Sequence, residues 1–389
     1  MEVLYKILFF ISAFIIIWAM VGYPISIKII GRLYKKNREL KKDYSHQPTV
    51  TVMVVAHNEE KVILGKLNNI IKLDYPQHKI EFLITSDNST DKTNDIVTEF
   101  INENKHLNIR LYEVKARKGK TNAQNEASRT VTTDFIVMTD ANSMMDKDSV
   151  KELMAAFSAD DIAYVTGRLS FVNKEASDIS GAQSSYWDSD VAIREIEGRI
   201  QTITAGNGAL YACRTKEYYE FNPIQSHDTA MPLFYALQGK RAIANHDAKV
   251  YEKAGEVVED EFGRKVRMNR LILNHILPDL KILNVFKYKW FTFFYLGHRT
   301  SRYLLWFSHF ILLLSNAFLV TGSWFYALMF ISQILFYGLA IIKLITKTSN
   351  KYITLIYYYC VTVFAQWVGV RNILTGKAKP FWEKAESTR

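Results

Sequence analysis

Cysteine is almost absent from this 389-residue chain, which contains only Cys213 and Cys360. Two cysteines do not make a disulfide framework, so the simple inference is a reducing compartment and no disulfide. Internal repeats and low-complexity segments are also missing from the sequence. No recognisable nucleic-acid-binding signature accompanies the formal net charge of +10, so we expect no nucleic acid among the partners.

Long apolar runs are present, and they lie at the two ends of the chain. Residues 7–27 are uncharged and are not followed by a small-residue cleavage site, so we expect a retained membrane anchor. Residues 303–342 are also uncharged and about two spans long, with Gly322 and Ser323 as a plausible turn. Residues 352–370 form a weaker third candidate, because polar side chains interrupt them.

Basic residues cluster directly after the first apolar run, in the stretch KIIGRLYKKNRELKK, which has seven bases and one acid. Such flanks mark the cytoplasmic side of a span and suit anionic lipid headgroups. We therefore expect a multi-pass protein of a bacterial-type inner membrane. Its N-terminus would lie outside, and its central domain would lie in the cytoplasm and contact membrane lipids.

The central segment alternates strand-like and helix-like stretches. TVTVMVVAH, IEFLITSD, IRLYEV and DFIVMTD read as strands, and amphipathic helical patterns follow the first three. This alternation predicts an α/β fold with a mostly parallel sheet. Ligands of such sheets bind at the carboxyl ends of the strands, which is where the polar residues gather in this sequence.

Several motifs carry a family resemblance. VMVVAHNEE, TSDNSTDKT, RKGKTNAQNEA, MTDAN, GNGALYACR, HDTAMPL and EFGRKVRMNR occur in this order between about residues 48 and 275. In order and spacing they resemble the nucleotide-sugar glycosyltransferases of family 2, which have the GT-A (Rossmann-like) fold. The membrane layout extends the resemblance to cellulose, hyaluronan and poly-N-acetylglucosamine synthases.

The resemblance implies a divalent cation, Mg²⁺ or Mn²⁺, that neutralises the diphosphate of a UDP-sugar donor. Asp140 is the first expected metal ligand, and Asn142 stands where the family usually has a second acid. An amide oxygen can still coordinate a cation, but it brings no charge.

Further donor-binding roles follow from the same resemblance. Asp87 matches the acid that accepts a hydrogen bond from uracil, Glu59 and Lys120 match nucleoside contacts, and Arg267 keeps a phosphate-facing cation. Met268 replaces the tryptophan that processive relatives place under the acceptor sugar, which favours transfer of one or a few sugars.

The acceptor side of the expected site rests on three residues. Asp228 matches the catalytic base that takes a proton from the attacking hydroxyl; helix capping is the alternative for this residue. His227 stands where many relatives have an acid, which would change the electrostatic field around Asp228. Gly206 and Asn207 are expected to bind the acceptor, because small residues allow close approach to the backbone.

The sequence therefore predicts an inverting, metal-dependent hexosyltransferase of cell-surface or exopolysaccharide biosynthesis. It would move a sugar from a UDP-sugar to a lipid-linked or growing polysaccharide acceptor at the cytoplasmic membrane face. A processive synthase that exports its own polymer is one alternative. A catalytically inactive membrane scaffold is the other.

The predicted organisation has six parts: an N-terminal transmembrane anchor (1–30), a basic juxtamembrane linker (31–47), a GT-A domain (48–280), an amphipathic interfacial helix (281–302), two or three C-terminal membrane helices (303–372) and a basic tail (373–389). One conflict stays open. Three C-terminal crossings would put the basic tail outside, whereas the positive-inside tendency favours the cytoplasm. We expect residues 352–370 to be re-entrant or interfacial.

Overall fold

The structure, a computed structural model, describes residues 1–34, 40–173, 178–255, 258–348 and 350–379. Parts of the predicted basic linker (35–39) and basic tail (380–389) lie outside the described residues. The chain divides into two compact units. The first comprises residues 1–33, 174–189 and 255–378, and the second comprises residues 34–173, 190–254 and 379–389.

The second unit contains one mixed sheet, which has eight strands within the described ranges. The strands are β1 Val50–Ala56, β2 Ile80–Ser86, β3 Ile109–Glu113, β4 Phe135–Asp140, β5 Met144–Met145, β6 Ile162–Phe171, β7 Leu210–Arg214 and β8 Arg241–Glu252. Their order is β3-β2-β1-β4-β7-β6-β8-β5. The neighbours β3, β2, β1 and β4 run parallel, whereas β7 is antiparallel to both β4 and β6. The predicted α/β class is confirmed, with antiparallel strands added on one side.

The described α-helices are α1 Glu2–Ile17, α2 Tyr23–Leu33, α3 Ile63–Ile70, α4 Thr93–Glu103, α5 Lys120–Ser128, α6 Ser149–Ala155, α7 Asp178–Ile200, α8 His227–Leu237, α9 Val258–Met268, α10 Ile272–Ile276, α11 Val285–Tyr288, α12 Trp290–Phe294, α13 Ser301–Tyr303, α14 Leu305–Leu319, α15 Trp324–Thr346 and α16 Lys351–Leu374. Two π-helices, Trp18–Gly22 and Tyr295–Thr300, join α1 to α2 and α12 to α13. Short 3₁₀-helices occupy Gln77–Lys79, Thr215–Glu217 and Leu280–Leu283.

The first unit holds the helices that are long and apolar enough to cross a bilayer. Three of them meet this test in the described chain: residues 2–33, 324–346 and 351–374. Residues 290–303 and 305–319 meet it together, with a bend of 59° between them. The segment 281–302, predicted as one amphipathic helix, is interrupted at Lys289, whose φ of +54° does not occur within an α-helix. The short helices Leu280–Leu283 and α11 precede this residue, and a continuous helical stretch, residues 290–303, follows it.

A buried lysine ties α3 to the end of β4. Lys66 lies on the inner face of α3 beside Ile63 and Leu67 and has no exposed surface. Its ammonium donates to the Thr139 hydroxyl at 3.0 Å and to the Ser143 carbonyl oxygen. Burial lowers the pKa of Lys66 to about 7, although the charges of Asp140 and Glu252 oppose that shift. Hydrogen bonds from the Lys66 side chain of α3 therefore hold the end of β4 and the loop that follows it.

Close backbone packing in the sheet depends on Gly167. This residue lies where the β6–β8 pairing shifts register. A Cβ atom there would come within 2.5 Å of the Ala248 carbonyl oxygen and 2.7 Å of the Leu210 side chain.

We expect Gly167→Ala to lower the free energy of unfolding by about 1–3 kcal/mol, because the added methyl overpacks the sheet. Gly263→Ala is the matched control, since a Cβ at this site in α9 meets no atom within 4 Å. Alanine should be neutral or stabilise that helix by about 0.5–1 kcal/mol. Thermal unfolding of the detergent-solubilised chain measures both effects, and equal melting temperatures for the two variants would contradict the packing argument.

We also expect Lys66 to make stability depend on pH. Its folded pKa of about 7 is below the ordinary value of 10.5, so the unfolded state binds more protons between those values. Stability should then rise with pH by up to about 1.4 kcal/mol per unit across this window, and level off below about pH 7. Lys66→Met should remove that slope, whereas the exposed control Lys72→Met should keep it. Melting curves from pH 6 to pH 10 would show parallel profiles for all three proteins if the argument fails.

Candidate functional site

The parallel strands β2, β1 and β4 end together at one edge of the sheet. Ala56 pairs with Ser86, and Val55 pairs with Asp140. The side chains that follow these strands therefore share one edge, which we call the carboxyl edge.

Asp87 is fixed at this edge by the turn that begins α5. Its carboxylate is buried and accepts the backbone N–H of Lys118 at 3.2 Å and of Gly119 at 2.9 Å. Gly119 has φ +98°, a conformation that favours glycine. Each oxygen receives one bond, so the carboxylate keeps lone pairs for a ligand.

The next residue of that turn reaches the end of β4. The Lys120 ammonium forms an ion pair with Asp140 and also donates to the Gly208 carbonyl oxygen at 3.1 Å. Both charged side chains are partly exposed. The structure thus brings together Asp87, Lys120 and Asp140, which the sequence places far apart.

Oxygen donors suited to a hard cation are present at the end of β4, in Asp140 and Asn142. Within the described ranges, no group of three His, Cys, Asp or Glu side chains is close enough to hold a metal ion. One carboxylate and one amide oxygen are nevertheless a donor set that Mg²⁺ or Mn²⁺ accepts when substrate phosphates and water complete the shell. These residues fit a site that the substrate would complete.

A second cluster joins the loop before β7 to the start of α8. The Gly206 N–H donates to the Asp228 carbonyl oxygen at 2.7 Å. A Cβ atom at Gly206 would overlap the Tyr164 hydroxyl, so glycine is required there. Burial, followed by the nearby charge of Asp228, raises the pKa of Tyr164 well above its usual value. Helix α8 begins at His227, so Asp228 lies in its first turn and is not its N-cap.

Asn207, which the sequence predicts to bind the acceptor, is engaged within the protein. Its side-chain oxygen accepts the N–H groups of Ala209 and Leu210, both at 3.0 Å. Its amide nitrogen donates to the Gly167 carbonyl oxygen. The side chain therefore shapes the 206–210 turn, and Gly208 in that turn is the residue that contacts Lys120.

His227 turns into the protein, where it is enclosed by aromatic residues. Its Nδ1 lies 2.9 Å from the Tyr211 hydroxyl, and its Nε2 lies 3.4 Å from the Tyr218 hydroxyl. Burial, and then the charge of Lys120, lowers the pKa of His227 to about 3. The imidazole is therefore neutral near pH 7, and it adds no positive charge beside Asp228.

The other predicted site residues lie at different places. Glu59 follows β1 and is buried, and its backbone N–H donates to the Thr93 hydroxyl at 2.7 Å. Arg267 lies near the end of α9, in the first unit. The nucleotide contacts expected of both residues stay predictions.

Sequence reasoning missed Lys66 and Arg194. Lys66 could have been found, because a lysine at helical spacing between Ile63 and Ile70 lies on the apolar face. Arg194 pairs with Asp190 and donates to the Gly206 carbonyl oxygen. No comparable pattern marks Arg194, since its i,i−4 pairing with Asp190 also occurs on solvated helices.

Comparison with known proteins identifies the domain. Residues 51–235 match the model of Glycosyl transferase family 2. YdaM of Bacillus subtilis (strain 168), named as a probable glycosyltransferase, is 33% identical over 43% of this chain and 41% of its own. The beta-monoglucosyldiacylglycerol synthase of Nostoc sp. is 27% identical over 42% of this chain and 33% of its own. The poly-beta-1,6-N-acetyl-D-glucosamine synthase of Staphylococcus epidermidis is 22% identical over 44% and 41%. The chain thus spans less than half of these relatives.

A solved structure shares the fold over nearly the whole chain. It is the mannosyltransferase PcManGT from Pyrobaculum calidifontis in complex with GDP-Man and Mn²⁺, with a TM-score of 0.74 at 20% identity. The alignment covers 95% of this chain and 99% of that one. The predicted GT-A fold is confirmed, and the predicted similarity to the glycosyltransferases of family 2 is confirmed over residues 51–235.

Proposed function

We propose that this chain transfers a sugar from a nucleoside diphosphate sugar to an acceptor hydroxyl, with inversion at the anomeric carbon. The observation that carries the proposal is the meeting of Asp87, Lys120 and Asp140 at the carboxyl edge of a family 2 domain. In the reaction, the acceptor oxygen forms a bond to the anomeric carbon as the bond to the diphosphate breaks. The acceptor proton passes to a base, and the nucleoside diphosphate leaves.

Asp87 is the proposed contact for the base of the nucleotide. Its carboxylate is held by two backbone N–H groups and keeps acceptor capacity for the N3–H of uracil. Glu59 lies after the neighbouring strand and would contact the nucleoside. The fold shared with an enzyme solved with GDP-Man makes a GDP-sugar the second candidate donor.

Asp140 and Asn142 are the proposed contacts for the diphosphate, through a divalent cation. The resemblance places Lys120 at the nucleoside, and its ion pair with Asp140 makes it a further proposed contact for the diphosphate. Mg²⁺ or Mn²⁺ held by Asp140 and Asn142 would act as a Lewis acid on the departing diphosphate. The Lys120 ammonium is a cation of the chain itself at the same place and would balance phosphate charge directly. Arg267 is the proposed further phosphate contact.

Asp228 is the proposed base. It lies in the first turn of α8, and the Gly206 N–H contacts its carbonyl oxygen. His227 beside it is neutral near pH 7, so the carboxylate is the group available to take a proton there. Gly206 and Asn207, in the loop that contacts the Asp228 backbone, are the proposed acceptor-side residues.

The proposed acceptor is lipid-linked or a growing polysaccharide, in cell-surface or exopolysaccharide synthesis. Relatives named as synthases of a glucosyl lipid and of poly-N-acetylglucosamine support these two classes. Met268 in place of an aromatic platform favours short products over processive synthesis. The ordered contacts at Asp87 and Asp140 argue against a decayed scaffold.

We further propose that α16 stays on the side of the membrane where the catalytic domain lies. Residues of α16 pack along α9, which carries six charged residues. The Tyr358 hydroxyl donates to buried Glu261 at 3.0 Å, and the Lys265 ammonium lies 4.2 Å from the centre of the Tyr358 ring. Further along α16, Gly369 is packed so closely on Asn269 that a Cβ would come within 2.7 Å of that side chain.

A charged helix does not lie in lipid hydrocarbon, so residues 358–369 of α16 should lie at aqueous or headgroup depth. The parts of α16 outside this contact, 351–357 and 370–374, are far shorter than the roughly 20 residues of a span. Three lysines near the turn between α15 and α16 also favour the cytoplasm: Lys343 in the last turn of α15, Lys347 in the turn, and Lys351 at the start of α16. The chain would cross at 2–33, at the bent segment 290–319 and at 324–346, which leaves the basic tail inside.

The enzymatic proposal predicts that the purified chain with Mn²⁺ and lipid extract releases nucleoside diphosphate from one sugar nucleotide of a UDP and GDP panel. Asp228→Asn should lower kcat by about 10²–10⁴-fold, the scale of lost general-base catalysis. Asp140→Ala should abolish the response to metal. The matched control Asp160→Asn, at an exposed loop position, should behave as wild type. No turnover with any donor, or full turnover in Asp228→Asn, would refute the assignment.

The topology proposal predicts the reporter behaviour of fusions to the chain in bacterial cells. Green fluorescent protein fused after Arg389 should fluoresce and alkaline phosphatase there should be inactive, because the first works only inside and the second only outside. Alkaline phosphatase inserted at Gly322, between α14 and α15, should be active. An active phosphatase after Arg389 would show that α16 crosses.

A further inference from the structure

An apolar groove lies among the membrane-associated helices of the first unit. It has a volume of about 620 Å³ and is lined on one side by Phe14 and Trp18 and on the other by Trp290, Phe293 and Leu296. Lys289 also lines it and is largely exposed. The volume is that of a ligand site, and the walls suit a hydrocarbon chain with a charge at one end.

Both π-helices of the described chain face this groove. Trp18 begins one of them, and Leu296, Gly297 and Thr300 belong to the other. The two segments approach each other at Gly297, where a Cβ would lie 3.5 Å from Nε1 of Trp18 and 2.5 Å from the ring of Tyr23, the residue after the first π-helix. A π-turn costs regular helical hydrogen bonding and occurs often at functional sites. Here the widened turns line the walls of the groove.

The segment before the groove has the character of a membrane-surface element. Its exposed apolar side chains include Leu280, Leu283 and Phe286, the last with 90% of its surface exposed. Lys281 and Lys287 alternate with them. Apolar side chains that point outward beside lysines are typical of segments that enter lipid at headgroup level. Lys289, at the end of this segment, would then lie at the depth of lipid phosphates.

The groove also lies at a depth that suits a lipid tail. Phe14 and Trp18, which line the groove, belong to the apolar run 7–27, whose basic flank follows Ile27. At 1.5 Å per residue, Trp18 lies about 14 Å and Phe14 about 20 Å from that end of the run. With the basic flank in the cytoplasm, the groove reaches the middle of the roughly 30 Å of hydrocarbon. A chain in it would lead to a headgroup at Lys289.

We propose that this groove binds the hydrocarbon chain of the acceptor lipid, and that Lys289 binds the phosphate of that lipid. The proposal rests on the transferase function above and names its acceptor class as a long-chain lipid phosphate. Lys289 has φ +54°, a backbone conformation that lysine rarely adopts. A lysine therefore occupies a strained position in the lining of an apolar groove.

The test uses the full chain in phosphatidylcholine nanodiscs with a photoactivatable polyprenyl phosphate probe and no sugar nucleotide. Wild type should be labelled in 14–18 and 290–304. Leu296→Trp, which fills the groove, should lower labelling at least about fivefold, because the displaced chain loses its buried apolar contacts. Leu335→Trp is the matched control on an exposed face of α15, and it should label as wild type.

The charge is tested separately. Lys289→Gln should weaken capture of the phosphate probe by about tenfold, the worth of one charge-assisted bond, and should leave capture of the matching polyprenyl alcohol unchanged. Lys347→Gln is the control, since Lys347 also has a positive φ of +52°. Uniform labelling of lipid-facing helices, or wild-type labelling of Leu296→Trp, would overturn the proposal. The labelling experiment contains no sugar nucleotide, so it measures lipid binding independently of sugar transfer. The lipid proposal can therefore fail while the transferase proposal holds, and the transferase proposal can fail while the lipid proposal holds.

Discussion

The Lys120–Asp140 ion pair is the contact on which the arrangement of the carboxyl edge depends. Lys120 is the first residue of α5, and the turn before it supplies the two N–H groups that hold Asp87. One short segment thereby fixes the acid proposed for the nucleoside and the acid proposed for the metal. Lys120 also donates a hydrogen bond to the Gly208 carbonyl oxygen. It thereby holds the loop that begins at Gly206, the residue that contacts the Asp228 backbone.

Much of this edge could be predicted from the sequence. The strands are mostly apolar segments that are followed by polar residues, so their carboxyl ends are expected to meet at one edge of a parallel sheet. Asp87, Lys120 and Asp140 were predictable on this basis. The fold class followed from the same alternation of strands and helices.

Other features depend on tertiary packing that local pattern does not encode. Sequence alone could not tell whether the His227 side chain points toward Asp228 or into the interior, because a side chain in the first turn of a helix can point either way. The structure encloses it among Tyr211 and Tyr218, and burial keeps it neutral. The interruption of 281–302 and the packing of α16 on α9 were hidden for a similar reason. Apolar content predicts which segments avoid water, but it does not say whether lipid or protein covers them.

The central claim is that the edge around Lys120 and Asp140 binds a nucleoside diphosphate together with a divalent cation. Calorimetric titration of UDP and of GDP into the detergent-solubilised chain, with and without Mn²⁺, tests this directly. The account predicts that Mn²⁺ strengthens binding of one nucleotide and that Asp140→Ala removes this strengthening. Equal nucleotide affinity in wild type and Asp140→Ala, with Mn²⁺ present, would contradict it.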